Sequence, residues 1–568
     1  MHRITSVLAA AALLLPAIAQ AAPPASAAHG MVATSEHYAS EVGADILMRG
    51  GNAVDAAVAV GYALAVVHPC CGNLGGGGFA TIHLANGKDT VISFRERAPE
   101  AATPDMFLDA TGKAAPELSR LGYRAVATPG TVLGLETMLA RYGTMSRARV
   151  MAPAIRLAQE GYVLGPGDVQ LMRDQAAHFA AHPNVAAIFL HDGKPWKVGD
   201  RLVQHDLART LKLVEAKGPD AFYKGEIADA VVAASEAGGG LLSKQDFLDY
   251  TVAENAPVRC SYRGYDVVSA PPPSSGGVTM CEILTVLSGY PLADYGFNSP
   301  ASVHVLAEAM RRAFADRNSQ LGDPAFVENP VEVLLSESHA AAIRASIKPD
   351  AATPSSAIGL DSSSREGTET THVSIVDRYG NAVALTLTLN LNFGAKVIAG
   401  HTGFFLNNTM DDFSAGEGAA NYFGLVEGKN NRIQPGKRPL SAMTPTILLK
   451  GGKVFMVIGS PGGPRIITTV VQTISNVVDH GMDVQQAVDA PRIHQQWLPD
   501  TVFMEPGAIG EADQKALRTM GYTLTAEAPW SDAEGIVIQP QPGPTGSPGV
   551  VLLGGHDKRR PGSAAVGY

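Results

Sequence analysis

Residues 369–390 read Glu369-Thr370-Thr371-His372-Val373-Ser374-Ile375-Val376-Asp377-Arg378-Tyr379-Gly380-Asn381-Ala382-Val383-Ala384-Leu385-Thr386-Leu387-Thr388-Leu389-Asn390. The first part alternates as a strand, turns at Tyr379-Gly380-Asn381, and returns as a second strand ending in Thr388 and Asn390. Residues 351–368, rich in Ala, Ser, Thr, Pro and Gly, precede it and read as a mobile segment. Taken alone, this is an ordinary β-hairpin. A mid-chain threonine opening an inner strand also becomes a catalytic N-terminus if the chain cuts itself before Thr370. Its hydroxyl is then a nucleophile, and its freed α-amine, with a reference pKa of about 7.7–8.0, is a general base held beside it. Thr388 and Asn390 are placed to reach back across the hairpin and orient that hydroxyl.

Outward from the hairpin, the C-terminal side reads as short strands with Gly/Pro turns at 403–406, 445–450 and 453–458. Helices at Ile466–His480 and Val484–Ala490 follow, then more strands, with Gln539–Gly549 as a Pro/Gly loop. On the N-terminal side, His37–Val67 reads as two helices separated by Gly50-Gly51-Asn52. The second, Ala53–Val67, is apolar on several faces and should be buried. Gly75–Gly78 lead into a strand pair joined at Asn86-Gly87. With no Walker lysine and no following helix, the glycines read as a tight turn before an inner strand. Residues 100–250 are mostly helical, and further helices are expected at Val278–Leu287 and Pro300–Ser319. Strands, paired helices, then strands fit a layered α/β sandwich with a largely antiparallel centre.

Composition bounds the function. The 568 residues carry a net charge of −10 and no Lys/Arg run, which argues against nucleic acid and for small molecules or peptides. Residues 1–21 read as a secretory signal. Met1-His2-Arg3 is basic, Val7–Ala19 is apolar, and Ala19-Gln20-Ala21 is a small-residue cut site, with Ala25-Ser26-Ala27 as a second. No later stretch is apolar for about 18 residues, so an exported protein without a stable membrane anchor is expected. The cysteines are Cys70, Cys71, Cys260 and Cys281. Adjacent Cys70 and Cys71 do not easily bridge each other; His68 near Cys70 is the one Cys/His candidate for a metal, and a core turn explains it better.

Four clusters carry chemistry. Thr370 with Thr388 and Asn390 is the first. Asn407-Asn408-Thr409-Met410-Asp411-Asp412 gathers amides and carboxylates that suit a substrate ammonium, or an Asx-rich turn. Lys437-Arg438-Pro439-Leu440-Ser441 supplies a hydroxyl for a carboxylate. Gly459-Ser460-Pro461-Gly462-Gly463-Pro464 precedes a helix, where successive N–H groups form an oxyanion hole or simply a helix-start turn.

In this order, and with Gly51-Asn52-Ala53-Val54-Asp55-Ala56, Gly75-Gly76-Gly77-Gly78-Phe79, Arg95-Glu96, Pro271–Gly277, Leu321-Gly322-Asp323-Pro324 and Pro491-Arg492 with His494-Gln495-Gln496-Trp497, the chain resembles the γ-glutamyltransferase family across almost its whole length. The resemblance implies an N-terminal-nucleophile hydrolase, a four-layer αββα sandwich cut between Glu369 and Thr370. The expected parts are a large subunit, 22–369, and a small subunit, 370–568, that stay associated as a heterodimer. It implies no cofactor and no metal. The substrates would be glutathione and other γ-glutamyl compounds, with water, amino acids or dipeptides as acceptors. It assigns Thr370 as nucleophile, Thr388 as its hydrogen-bond partner and Gly462 and Gly463 as the oxyanion hole. Asn390 and Asp412 would grip the donor's α-amine, with Thr409 replacing the usual Gln there. Arg95 and Ser441 would grip the α-carboxylate. Ala442 replaces a second Ser, and Phe423 a lid Tyr. The rival expectations are a glutaryl-type cephalosporin acylase of the same superfamily and a binding protein that never processes.

Overall fold

The computed structural model describes residues 22–358, 370–414, 421–542 and 548–568. The expected signal peptide, the segment 359–368 and Glu369 lie outside them. Two seven-stranded sheets, each antiparallel throughout, stack face to face. The sheet carrying the hairpin runs Ala564–Gly567, Met31–Thr34, Thr371–Val376, Ala382–Thr388, Gly77–His83, Asp89–Ser93, Ala253–Asn255. The other runs Ala25–Ala27, Pro548–His556, Glu534–Pro542, Lys453–Gly459, Thr446–Lys450, Tyr265–Ser269, Val258–Tyr262.

Period-two alternation divides each hairpin strand between two cores. Val373 and Ile375 face the helical layer built on Ala53–Val67, every residue of which is buried, while Val376, Ala382 and Ala384 face the other sheet. The second sheet is covered by Gly276–Leu287, Arg465–Val478 and Val484–Asp489. This is the expected αββα sandwich. Asn52 caps the central helix by accepting from Val54 and Asp55 N–H, and Asp55 reciprocates at the Asn52 amide.

Gly75–Gly78 form the entry to an inner strand for a steric reason. A Cβ on Gly76 would lie 1.9 Å from the Thr388 carbonyl oxygen, so only glycine lets this backbone close on the end of the hairpin.

Several expectations change. Residues 403–406 form no strand, only bridges at Phe405 and Leu406. The Gln539–Gly549 stretch is mostly the facing ends of two strands, Glu534–Pro542 and Pro548–His556, with only 543–547 undescribed; pairing along the hairpin overrides its Pro/Gly content. Residues 351–358 are anchored rather than loose. Ser355 is buried, and its hydroxyl donates to the Trp497 carbonyl while its amide donates to Asp500. The cysteines form Cys260–Cys281 and, against expectation, Cys70–Cys71.

Candidate active site

The returning strand carries Thr388 to the sheet's end, where its neighbour across the hairpin opening is Thr370, 7 % exposed. The two hydroxyl oxygens stand 3.4 Å apart, beyond a fully formed O–H···O bond of about 2.7–2.8 Å but within reach of one. Thr388 Oγ1 is fixed from the other side by the Asn390 amide at 2.9 Å. Asn390 adopts a left-handed φ of 75° and donates from Nδ2 to the Asn408 carbonyl.

Around Thr370 lies a small, partly open pocket lined by Arg95, Arg317, Thr388, Asn390, Asp412, Asn421, Phe423, Ser441, Ala442 and Gly463, among others. Residues separated by more than three hundred positions meet here, because the strand Asp89–Ser93 delivers Arg95 beside the hairpin.

The electrostatics centre on Arg95, which is 1 % exposed. Its Nη2 donates to Asp412 Oδ2, its Nη1 to Glu96 Oε2 at 3.2 Å, and its Nε to the Pro439 carbonyl at 3.2 Å. Burial pushes the Asp412 carboxyl up to about 7 against the pull of Arg95. Burial likewise raises Glu96, with Arg95 opposing it. The pocket therefore holds one arginine between two carboxylates that are reluctant to be charged. A zwitterion entering here offers an ammonium to Asp412 and a carboxylate to a guanidinium, satisfying both partners at once.

Ser441 Oγ accepts from the Met443 amide at 3.1 Å and lines the pocket. Gly463 also lines it, at φ 54°, while Gly462 sits just behind at φ 130°. Both positive φ values turn this loop immediately before the helix Arg465–Val478, whose N-terminal end carries partial positive charge. Among the described residues neither glycine amide has an acceptor, which leaves donors for a developing oxyanion.

The cluster at 407–412 separates into different roles. Asp412 alone enters the pocket. Asp411 accepts from Ser119 Oγ and the Tyr422 amide, and Asn407 ties Gly75 and Ala127 together. Thr409, expected to grip substrate, is fully buried and does not line the pocket; its hydroxyl donates to Glu96 Oε1 at 2.8 Å. A short side chain at this position reaches the carboxylate behind Arg95, not the cavity. His372, the imidazole nearest in sequence to Thr370, is held down to about 3 by burial and bonded to Thr386 and Ser374, so it is no base.

Arg317 was not expected from the sequence and belongs to no chemical motif; Asn421 comes from the expected lid segment Asn421-Tyr422-Phe423-Gly424-Leu425, with no binding role assigned to it. Glu282, Asp316 and His339 also meet, from three helices, with His339 Nε2 3.3 and 3.1 Å from the two carboxylates. That group lies outside the pocket and is bonded to itself.

A sequence model of the family Gamma-glutamyltranspeptidase matches residues 39–567. The chain is 50 % identical over 548 residues to a glutathione hydrolase proenzyme of Pseudomonas sp. strain A14, covering 96 % of this chain and 95 % of that one. It is 45 % identical to a glutathione hydrolase proenzyme of Escherichia coli K12, covering 96 % and 93 %. Its fold superposes on the structure of a cephalosporin acylase from Bacillus halodurans with a TM-score of 0.85 at 27 % identity, covering 99 % of both chains. With a pocket that gathers the expected threonine, arginine, aspartate and glycine loop, this chain belongs to the γ-glutamyltranspeptidase family.

Proposed function

We infer that the protein is a self-processing γ-glutamyltransferase and glutathione hydrolase in which Thr370 is the nucleophile. The observation carrying this reading is the convergence of Thr370, Thr388, Asn390, Arg95, Asp412, Ser441 and Gly463 on one cavity. In the precursor, the Thr370 hydroxyl attacks the Glu369 carbonyl, the peptide C–N bond breaks, and the resulting ester is opened by water. The parts 22–369 and 370–568 then remain associated, since strands on either side of the cut pair within the same sheets.

In the processed enzyme the Thr370 amine takes the hydroxyl proton as Thr370 Oγ1 attacks the γ-glutamyl carbonyl. Gly462 and Gly463 N–H groups stabilise the oxyanion, the amine returns the proton to the departing nitrogen, and a γ-glutamyl ester forms. Water completes hydrolysis; the amine of an amino acid or dipeptide completes transfer. Asp412 and Asn390 hold the donor's ammonium, and Arg95 and Ser441 its carboxylate. Residues 1–21 would act as an export signal, cut after Ala21 or Ala27. Among the described residues no helix is long and apolar enough to cross a membrane.

Ala442 favours one second reading, glutaryl transfer, because a pocket with fewer polar contacts tolerates a donor lacking the α-amine. Asp412 inside the pocket weighs against it, as a glutaryl group leaves that carboxylate without a partner. A denaturing gel with N-terminal sequencing should give a smaller band beginning at Thr370, absent from Thr370→Ala. A γ-glutamyl anilide should be cleaved in preference to a glutaryl anilide. Processing of Thr370→Ala, or cleavage of the glutaryl compound alone, overturns the reading.

A further inference from the structure

The apolar layer between the two sheets is not sealed at every edge. Six residues at about 3.3 Å each carry the strand Thr371–Val376 away from Thr370 to its far end. There a cavity of about 500 Å³ opens between two turns, 377–380 of one sheet and 450–453 of the other. Small-molecule sites usually span about 300–1,000 Å³. Val376, Val454 and Leu552, which line it, are buried members of the layer between the sheets, and Ile538 packs against that layer. The cavity is this layer continued to the surface. Tyr379 and Val550, also in its wall, stand 54 % and 52 % exposed. Large apolar side chains left together in water mark a binding surface.

The rim selects a sign. Lys450, Lys453 and Arg378 stand on it, all exposed, in a chain whose net charge is −10. Lys450 Nζ donates to the Tyr265 hydroxyl at 3.5 Å, and Arg378 donates to the Tyr568 hydroxyl at 2.8 and 3.1 Å. Among the described residues none of the three forms an ion pair. The one acid in the lining, Asp377, is engaged inward. Its Oδ1 accepts from the Tyr379 and Asn381 amides at 2.8 and 2.9 Å, and its Oδ2 from the Ala53 amide at 2.9 Å and Asn381 Nδ2 at 2.6 Å. An apolar floor beneath three cations fits a molecule with a hydrocarbon tail and an anionic head.

We propose that this cavity binds an anionic amphiphile with a single hydrocarbon chain, taken from solution as a monomer. The tail lies against Val376, Val454 and Leu552, and the head meets Lys450 and Lys453. The site shares no residue with the pocket around Thr370, and the proposal does not depend on the γ-glutamyl reading.

The test is isothermal titration calorimetry of the purified protein at low salt with decanoate, decanol and decyltrimethylammonium, each kept monomeric. Decanoate should bind one per chain, about 10-fold tighter than decanol, with the ammonium compound weakest. Lys450→Gln combined with Lys453→Gln, both at exposed positions, should weaken decanoate by about 5- to 20-fold and leave decanol within about 2-fold. Val550→Gln should weaken both by about 3- to 10-fold, because it removes apolar wall and no charge. Absence of saturable one-to-one binding of decanoate overturns the proposal. So does a decanoate affinity that neither variant moves, which places the ligand elsewhere, and so does equal binding of the ammonium compound, which removes the selection by charge.

Discussion

Two buried aspartates of this protein face arginines and come out opposite. Asp557 accepts from Arg492, from Arg559 at 2.8 Å and from the amides of Ala533 and Arg559, both at 3.0 Å. Burial pushes it up, yet Arg492 and Arg559 more than offset this and hold it below the usual carboxylate range. Among the described residues Asp412 has one side-chain partner, Arg95, which Glu96 shares, and burial carries it up to about 7. Asp557 belongs to a finished ion network tying the last strands together. Asp412 belongs to a sparser one on the wall of the pocket, where the proposed function places the donor's ammonium. A binding site keeps some of its electrostatic demand unmet until substrate arrives.

The largest effect expected from breaking this contrast is on stability. Asp557→Asn leaves Arg492 and Arg559 short of charge in a sealed core and should cost about 3–5 kcal/mol, read as a lowered Tm or a failure to process. Asp412→Asn should cost far less, because it removes a carboxylate that burial already disfavours. A Tm loss from Asp412→Asn equal to that from Asp557→Asn would erase the distinction.

The pH dependence should separate the two by sign. Asp412 is raised in the fold, so from about pH 4 to about pH 7 the folded state binds more protons than the unfolded state, and this group's contribution to stability falls as pH rises. Asp557 is lowered, so its contribution is present above about pH 4 and is lost as pH drops through its folded value. On the proposed role of Asp412, activity should follow its ionised form. Wild-type kcat/KM on a γ-glutamyl anilide should fall as pH drops below about 7. Asp412→Asn should be about 10- to 100-fold slower and lose that part of the acid limb, keeping the part that belongs to the Thr370 amine. An unchanged limb in the variant would remove Asp412 from donor binding.

The smallest effect sharpens the sparser side. Ala442→Ser adds a hydroxyl to the pocket wall and should lower KM for the γ-glutamyl donor by about 3- to 10-fold, leaving kcat near wild type. No change in KM would mean that position 442 does not face the donor carboxylate.

Much of this was legible before the fold. The hairpin, the buried helix Ala53–Val67 and the helix after Pro464 were readable because alternation and apolar content act over a few residues. Arg95, Asp412, Ser441 and the Gly462-Gly463 loop were readable as local chemistry in a family order. Thr409 misled because a resemblance assigns a position, while side-chain length decides what that position touches; the hydroxyl stops at Glu96. Arg317 was illegible because a helical arginine looks the same whether it meets solvent or a cavity. The Cys70–Cys71 bridge and the anchoring of Ser355 also depended on contacts that no spacing rule encodes.

The sequence by itself carried the proposed nucleophile, the expected cut before it and the layered alternation of the sandwich, since each is a property of neighbouring residues. Tertiary structure decided which of several acids lines the pocket and which arginines stand beside it. Those are matters of burial and partner count, and both are set by chain segments hundreds of residues apart.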